Sequence, residues 1–200
     1  MGRKSIDRYR YKDPEVRQKH VVSAMIYFQE NGVSNFSMSR MAADLNISKT
    51  TIYNHFESKE ELIEAAVDYK LDLIADYETV LFNLTLTYTE RYRKAMLFFC
   101  VQTFDISSKL LIQLQQGYPE VFEKVMQFRK DVFENLLSFY EVGVEIGKFK
   151  ANSHPYLLAK DDMQFFEFLS NREELISKNI EVLEAFKCHY RTKFFGISVD

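Results

Sequence analysis

The sequence predicts an all-α protein, on three observations. Apolar residues recur at three- and four-residue spacing along most of the chain, alternating apolar and polar runs are scarce, and only 6 Gly and 3 Pro interrupt its 200 residues. The expected layout is an N-terminal three-helix helix-turn-helix domain followed by a six-helix bundle, about nine helices in all. The domain limits expected are 1–13 for a basic arm, 14–60 for the helix-turn-helix and 61–200 for the bundle.

The first helix should open at Pro14, which suits a first turn. Val21, Ala24, Met25 and Phe28 then give it one apolar stripe, and Asn31-Gly32 supplies a left-handed stop. Ser37 can cap a second helix whose stripe is Met38, Met41, Ala42 and Leu45. Asn46 tolerates the left-handed backbone of a tight turn, and Ser48 is placed to cap the third helix. In that third helix only Ile52 and Phe56 are plainly apolar, so Lys49, Thr50, Thr51, Tyr53, Asn54 and His55 are expected to face outward. A helix with little to bury and many hydrogen-bonding side chains suits a groove.

Ser58-Lys59-Glu60-Glu61 matches a capping box, and it opens a long helix expected to run to about Phe82. At about 1.5 Å per residue such a helix can pass from one domain into the next, which places the boundary within it. Thr89 is expected to cap a helix through Phe104, and Ser107 or Ser108 a shorter one ending at Gln115-Gln116-Gly117. Pro119 should begin a long helix with Phe122, Met126, Phe133, Leu136, Leu137 and Tyr140 inside. Ser153-His154-Pro155 opens another through Leu169, and Asn171 starts the last.

Composition excludes whole classes. With 46% hydrophobic and 28% charged residues the chain can bury a core without disulfides or metals, and it is neither disordered nor collagen-like. Cys100 and Cys188 lack CxxC spacing and read as reduced structural thiols. With no leader-like start and no long uncharged apolar window, a cytoplasmic protein with no membrane partner is expected. The net charge of −3 hides an asymmetry: residues 1–60 hold 10 Lys and Arg against 7 Asp and Glu, while 61–200 hold 16 against 22. Arg3, Lys4, Arg8, Arg10 and Lys12 concentrate the positive charge in an arm, expected to be disordered without DNA and suited to phosphate or minor-groove contact.

Residues 16–69 resemble the N-terminal domain of tetracycline-repressor (TetR) family regulators. The resemblance rests on Ala24 and Phe28 before Asn31-Gly32, on Met41-Ala42, on the run Ile47 through Phe56, and on Ser58-Lys59-Glu60-Glu61-Leu62. Beyond them the likeness is one of layout, with Gly143, Gly147 and Phe149 as a G-x-x-x-G-x-F helix ending. It implies a homodimer formed through the last two helices, about 154–169 and 172–195, double-stranded DNA as partner, and a small-molecule effector. It also implies phosphate contacts for Ser37, Ser48, Thr51, Tyr53, His55 and Lys59, whose donors fit that role. Lys49, Thr50 and Asn54 are candidates for base readout, since Lys can donate to guanine, Asn can pair with adenine and a Thr methyl can touch thymine. Thr50 stands where many members have Gly, so an operator sequence does not carry over.

By the same resemblance, an effector pocket lies among the central helices. Tyr92, Met96, Phe99 and Thr103 on one stripe, with Met126 and Phe133, are its candidate lining, suited to an apolar or aromatic ligand. No metal or cofactor is expected: His20, His55, His154 and His189 are isolated, and no nucleophile, phosphate-loop or zinc spacing occurs. An enzyme is therefore not expected. The principal reading is a ligand-released repressor; the alternatives are a constitutive or activating DNA-binding regulator and, further off, a helical small-molecule carrier or enzyme.

Overall fold

The computed structural model describes residues 13–104 and 106–197. The basic arm, apart from Asp13, lies outside the described residues. Among those residues every regular element is an α-helix, and the chain divides into two compact units, Met1–Tyr69 and Lys70–Asp200.

In the first unit α1 spans Pro14–Asn31, with Pro14 in its first turn and the Asp13 carboxylate accepting from the backbone N–H of Glu15 at 2.9 Å. Gly32 ends it at φ 75°, a left-handed conformation that a side chain would strain. Helices α2 (Met38–Asp44) and α3 (Lys49–Tyr53) are capped by Ser37 and Ser48, which accept from the N–H groups of Arg40 and Thr51. Between them Asn46 sits at φ 54°, and Ile47 N–H reaches back to the Ala42 carbonyl at 2.9 Å. Helix α4 covers Lys59–Ala75. The Ser58 hydroxyl accepts from Glu61 N–H at 3.1 Å, and the Glu61 carboxylate accepts from Glu57 N–H at 2.6 Å. The core is the stripe of α1 with Phe36, Met41, Ile52, Phe56, Leu62 and Ile63, all buried.

The second unit begins with the end of α4 and continues through α5 (Tyr77–Leu81), α6 (Tyr88–Thr103), α7 (Ser108–Gly117), α8 (Pro119–Glu145), α9 (Pro155–Leu169), α10 (Arg172–Ser177) and α11 (Val182–Ile197). Two breaks account for the helices beyond nine. The helix expected from Ser58 to about Phe82 is interrupted at Asp76, so α5 stands alone. The last helix divides at Asn179, whose φ of 54° lets Ile180 N–H close on the Leu175 carbonyl at 2.9 Å.

Helix α6 is capped two residues before the expected Thr89. Thr87 and Glu90 form a full capping box there, with two reciprocal bonds where Thr89 could offer one. The buried stripe of α8 is Val121, Val125, Val132, Leu136, Phe139 and Tyr140, rotated by one residue from the expected Phe122, Met126 and Phe133. The helix puts its compact branched residues inside and leaves Met126 45% exposed. In its last turn, Gly143 meets Phe149: a Cβ there would fall inside the Phe149 ring's contact distance and 2.8 Å from the Tyr88 ring. Gly147, at φ 72°, turns the chain so that Phe149 folds back. Thus each glycine of the G-x-x-x-G-x-F ending has its own steric reason. Cys100 is buried within α6 and Cys188 is exposed on α11; both are free thiols.

Candidate functional site

The third helix presents the face that its sequence implies. Lys49, Thr50, Tyr53 and Asn54 are exposed, while Ile52 is fully buried and anchors the helix from below. Ser48 is exposed, with its hydroxyl 2.8 Å from that of half-buried Thr51, and Ser37 is exposed at the start of α2. The Lys49 ammonium lies 5.5 Å from the Tyr53 ring centre and that of Lys59 5.9 Å from the Phe36 ring centre, which restrains both chains. These side chains, which come from α3, the start of α4 and the caps of α2 and α3, all carry hydrogen-bond donors.

His55 departs from the expected outward orientation. It is only 5% exposed, because the chain leaves α3 at Tyr53 and the following turn carries the ring inward. There it meets His20 of α1 edge-on, with ring centres 5.4 Å apart. His20 Nε2 and His55 Nδ1 are both buried without a hydrogen-bond partner. Burial, and then the neighbouring His55, hold the His20 imidazole below its ordinary pKa of 6.5. Beside them the Arg17 guanidinium lies 4.7 Å over the Phe56 ring and pairs with Glu61 at 3.3 Å, tying α1 to α4.

Residues 21–66 match the bacterial regulatory proteins of the tetR family, and the match contains α2, α3 and the turn between them. An HTH-type transcriptional regulator of Staphylococcus aureus (strain MRSA252) is 29% identical over 192 residues, covering 93% of this chain and 94% of its own. A homologue of the same description from strain USA300 is 29% identical over 152 residues, or 74% and 75% of the two chains. The crystal structure of a TetR transcriptional regulator from Chloroflexus aurantiacus J-10-FL superposes with a TM-score of 0.73 at 20% identity, over 94% of this chain and 98% of that one. Residues 21–66 thus resemble the tetR-family regulatory proteins in sequence, and the chain shares the fold of a TetR transcriptional regulator.

The second unit holds a small cavity of about 70 Å³, walled mainly by Ile74, Phe99, Val125, Phe128, Met163 and Phe166. Next to it lies a wider groove of about 440 Å³ that reaches Phe122, Met126 and Phe168. Of the expected lining residues, Phe99 and Thr103 face the cavity and Met126 the groove. Phe133 faces neither: its ring packs edge-on against Tyr156 at 5.5 Å, under the Lys160 ammonium. Met96 is fully buried in the core, and Tyr92 is engaged elsewhere.

Tyr92 belongs to a buried polar network unforeseen in the sequence, centred on the fully buried Asp162 of α9. The hydroxyls of Tyr92 (α6) and Tyr140 (α8) donate to its two carboxylate oxygens, the latter at 2.7 Å. From α11 the Lys193 ammonium donates at 2.6 Å, and His189 Nε2 lies 3.0 Å away. Lys193 also bonds the Leu158 carbonyl at 2.6 Å and pairs with Asp161 at 3.1 Å. Burial works to raise the Asp162 pKa, but Lys193, with the hydrogen bonds from His189 and Tyr92, holds it below the usual carboxylate range. Burial and then the Asp162 charge push both tyrosine hydroxyls well up, which keeps them protonated donors. Asp161, Asp162 and His189 have donor atoms within 4.8 Å of one another, as a metal would require. The Lys193 ammonium bonds both carboxylates, so the cationic role is already filled by the chain.

One signal could have revealed the network. Asp162 falls on the buried stripe Ala159, Asp162, Phe166, Leu169 of α9, and Lys193 follows Phe186 by two turns on α11. A charge on an apolar stripe, on each of two helices, implies a buried pair.

Proposed function

We propose that the chain is a cytoplasmic homodimeric repressor, released from a near-palindromic operator by a small ligand held in the second unit. The observation that carries the DNA-binding part is the exposed polar face of α3 on a buried Ile52 anchor. In this reading Ser37, Ser48, Thr51, Tyr53 and Lys59 hold phosphates, whereas Lys49, Thr50 and Asn54 reach base edges. Buried His55 supports that surface from beneath and makes no phosphate contact in this arrangement.

Dimerisation through α9, α10 and α11 is supported by apolar side chains that these helices leave exposed, among them Leu157, Ile176, Leu183 and Phe195. Two-fold symmetry would then set two α3 helices roughly 34 Å apart, in successive major grooves. Leu71 and Ile74 near the end of α4 line the cavity, and the start of α4 belongs to the DNA-binding unit. A ligand favouring one packing of the second unit would therefore act on α4, with a coupling of about 1–3 kcal/mol.

Gel-shift titration against the DNA upstream of the chain's own gene tests this reading. The combined change Tyr53→Phe and Lys59→Ala should weaken binding on every sequence and flatten its salt dependence, while Asn54→Ala should relax preference at one operator position. Full affinity in the double variant would refute the phosphate assignment. Operator binding that no ligand of the cavity alters would leave a constitutive or activating regulator.

A further inference from the structure

The cavity and the groove share one edge, which Leu111, Val125, Arg129, Glu167 and Ser170 line on both sides. Other polar groups around the two hollows are engaged. The Thr103 hydroxyl donates to the Phe99 carbonyl at 2.8 Å, and the Ser170 hydroxyl donates to the Glu167 carbonyl at 2.7 Å. On the groove side, Glu174 accepts from the Asn171 amide at 2.9 Å. Arg129 differs. Its guanidinium has five N–H donors, its side chain is 34% exposed, and its ion pair is a 3.5 Å approach to Glu167, beyond ordinary hydrogen-bond length. Glu167 itself is 71% exposed and well hydrated.

We propose that the effector is an anionic amphiphile: its apolar body enters the cavity, and its carboxylate pairs with Arg129 in place of Glu167. The proposal rests on reading the cavity as the effector site. The asymmetry of burial decides the sign of the ligand. A ligand ammonium would gain little from Glu167, whose charge is already met by water, whereas a carboxylate would give a partly desolvated guanidinium two parallel N–H···O bonds. Glu167 would be released to solvent at small loss, as expected for a long, exposed ion pair. The proposed ligand keeps the apolar body expected from the sequence and adds a charged head.

Calorimetric titration of the full chain, without DNA, with octanoate, octanol and octylamine separates the possibilities. Octanoate should bind about tenfold or more tightly than either analogue. Arg129→Gln should lower octanoate affinity by about tenfold and leave octanol affinity within about twofold. Glu167→Gln, which removes the competing carboxylate, should tighten octanoate. Equal binding of the three probes, a preference for octylamine, binding of none, or an Arg129→Gln loss shared equally by octanol would each overturn the proposal. Octanoate bound as expected but unable to release operator DNA in the gel shift would support the Arg129 assignment and refute ligand-released repression.

Discussion

The two units bury polar side chains in opposite ways. Around Asp162 a full charge lies in the core with an ammonium, two hydroxyls and an imidazole about it, drawn from α6, α8, α9 and α11. Between α1 and the end of α3, two imidazoles meet with one nitrogen each left without a partner. The first arrangement is costly to break and cheap to keep, since each donor finds the carboxylate only in one packing of four helices. The second lowers the stability of its unit as it stands, because a buried donor or acceptor without a partner forfeits its hydration. A satisfied polar core therefore specifies one arrangement, while an unsatisfied one keeps its unit responsive to protons.

Breaking the ion pair should give the largest effect. Lys193→Ala leaves Asp162 buried and uncompensated, and should destabilise the chain by about 3–5 kcal/mol in chemical denaturation. A loss below about 1 kcal/mol would mean that water reaches Asp162 and that the contrast between the units is overstated. Tyr140→Phe deletes the donor to one carboxylate oxygen while keeping the ring, and a loss of about 1–3 kcal/mol is expected by the same measurement. The smallest effect should come from the histidines. His20→Leu replaces an unpartnered ring by an apolar side chain and should alter stability at pH 7 by less than about 1 kcal/mol in either direction.

pH sharpens the same contrast. The folded-state pKa of His20 lies below 6.5, so as pH falls through 6.5 the unfolded chain takes up the proton first. The stabilisation from the neutral ring is full above that value and is lost as pH falls toward the depressed one. A series of melting temperatures from pH 7.5 to 5 should show this decline in the unmodified chain and a shallower one in His20→Leu. Identical slopes would remove His20 as its source. Asp162, also depressed, contributes above the unfolded carboxylate range and loses its contribution only at more acid pH, as pH falls through its folded value.

Local chemistry was readable where one residue type has one use. Pro14, Asn31-Gly32, Ser37, Asn46 and Ser48 bracket α1, α2 and α3 as the sequence implied, because caps and left-handed turns act over four residues. The face of α3 followed from the same logic. Where two local solutions compete, the sequence was ambiguous: the Thr87–Glu90 box displaced Thr89, and in the 27-residue α8 a stripe of valines lay one position from a stripe of Phe and Met. The Asp162 network was hidden for another reason. Tyr92 and Lys193 are distant in sequence, and a tyrosine on a buried stripe looks the same with or without a partner for its hydroxyl. Likewise His55 turned inward because α3 stops at Tyr53, a length that periodicity does not dictate. Of the residues expected to line an effector pocket, Phe99 and Thr103 reach the cavity, yet Arg129 was overlooked, since an arginine on a surface helix is unremarkable until a hollow is seen beside it.

The two thiols give the chain a built-in clock. Cys188 lies in the open on α11 and should react with a thiol reagent at once, whereas Cys100 is fully buried in α6, with burial and then the Asp162 charge pushing its thiol up and away from the reactive thiolate. Modification of Cys100 therefore has to wait for its helix to open, and its rate, normalised to that of Cys188 in the same molecule, times the breathing of the second unit. A molecule that occupies the cavity should slow that clock without touching either sulfur.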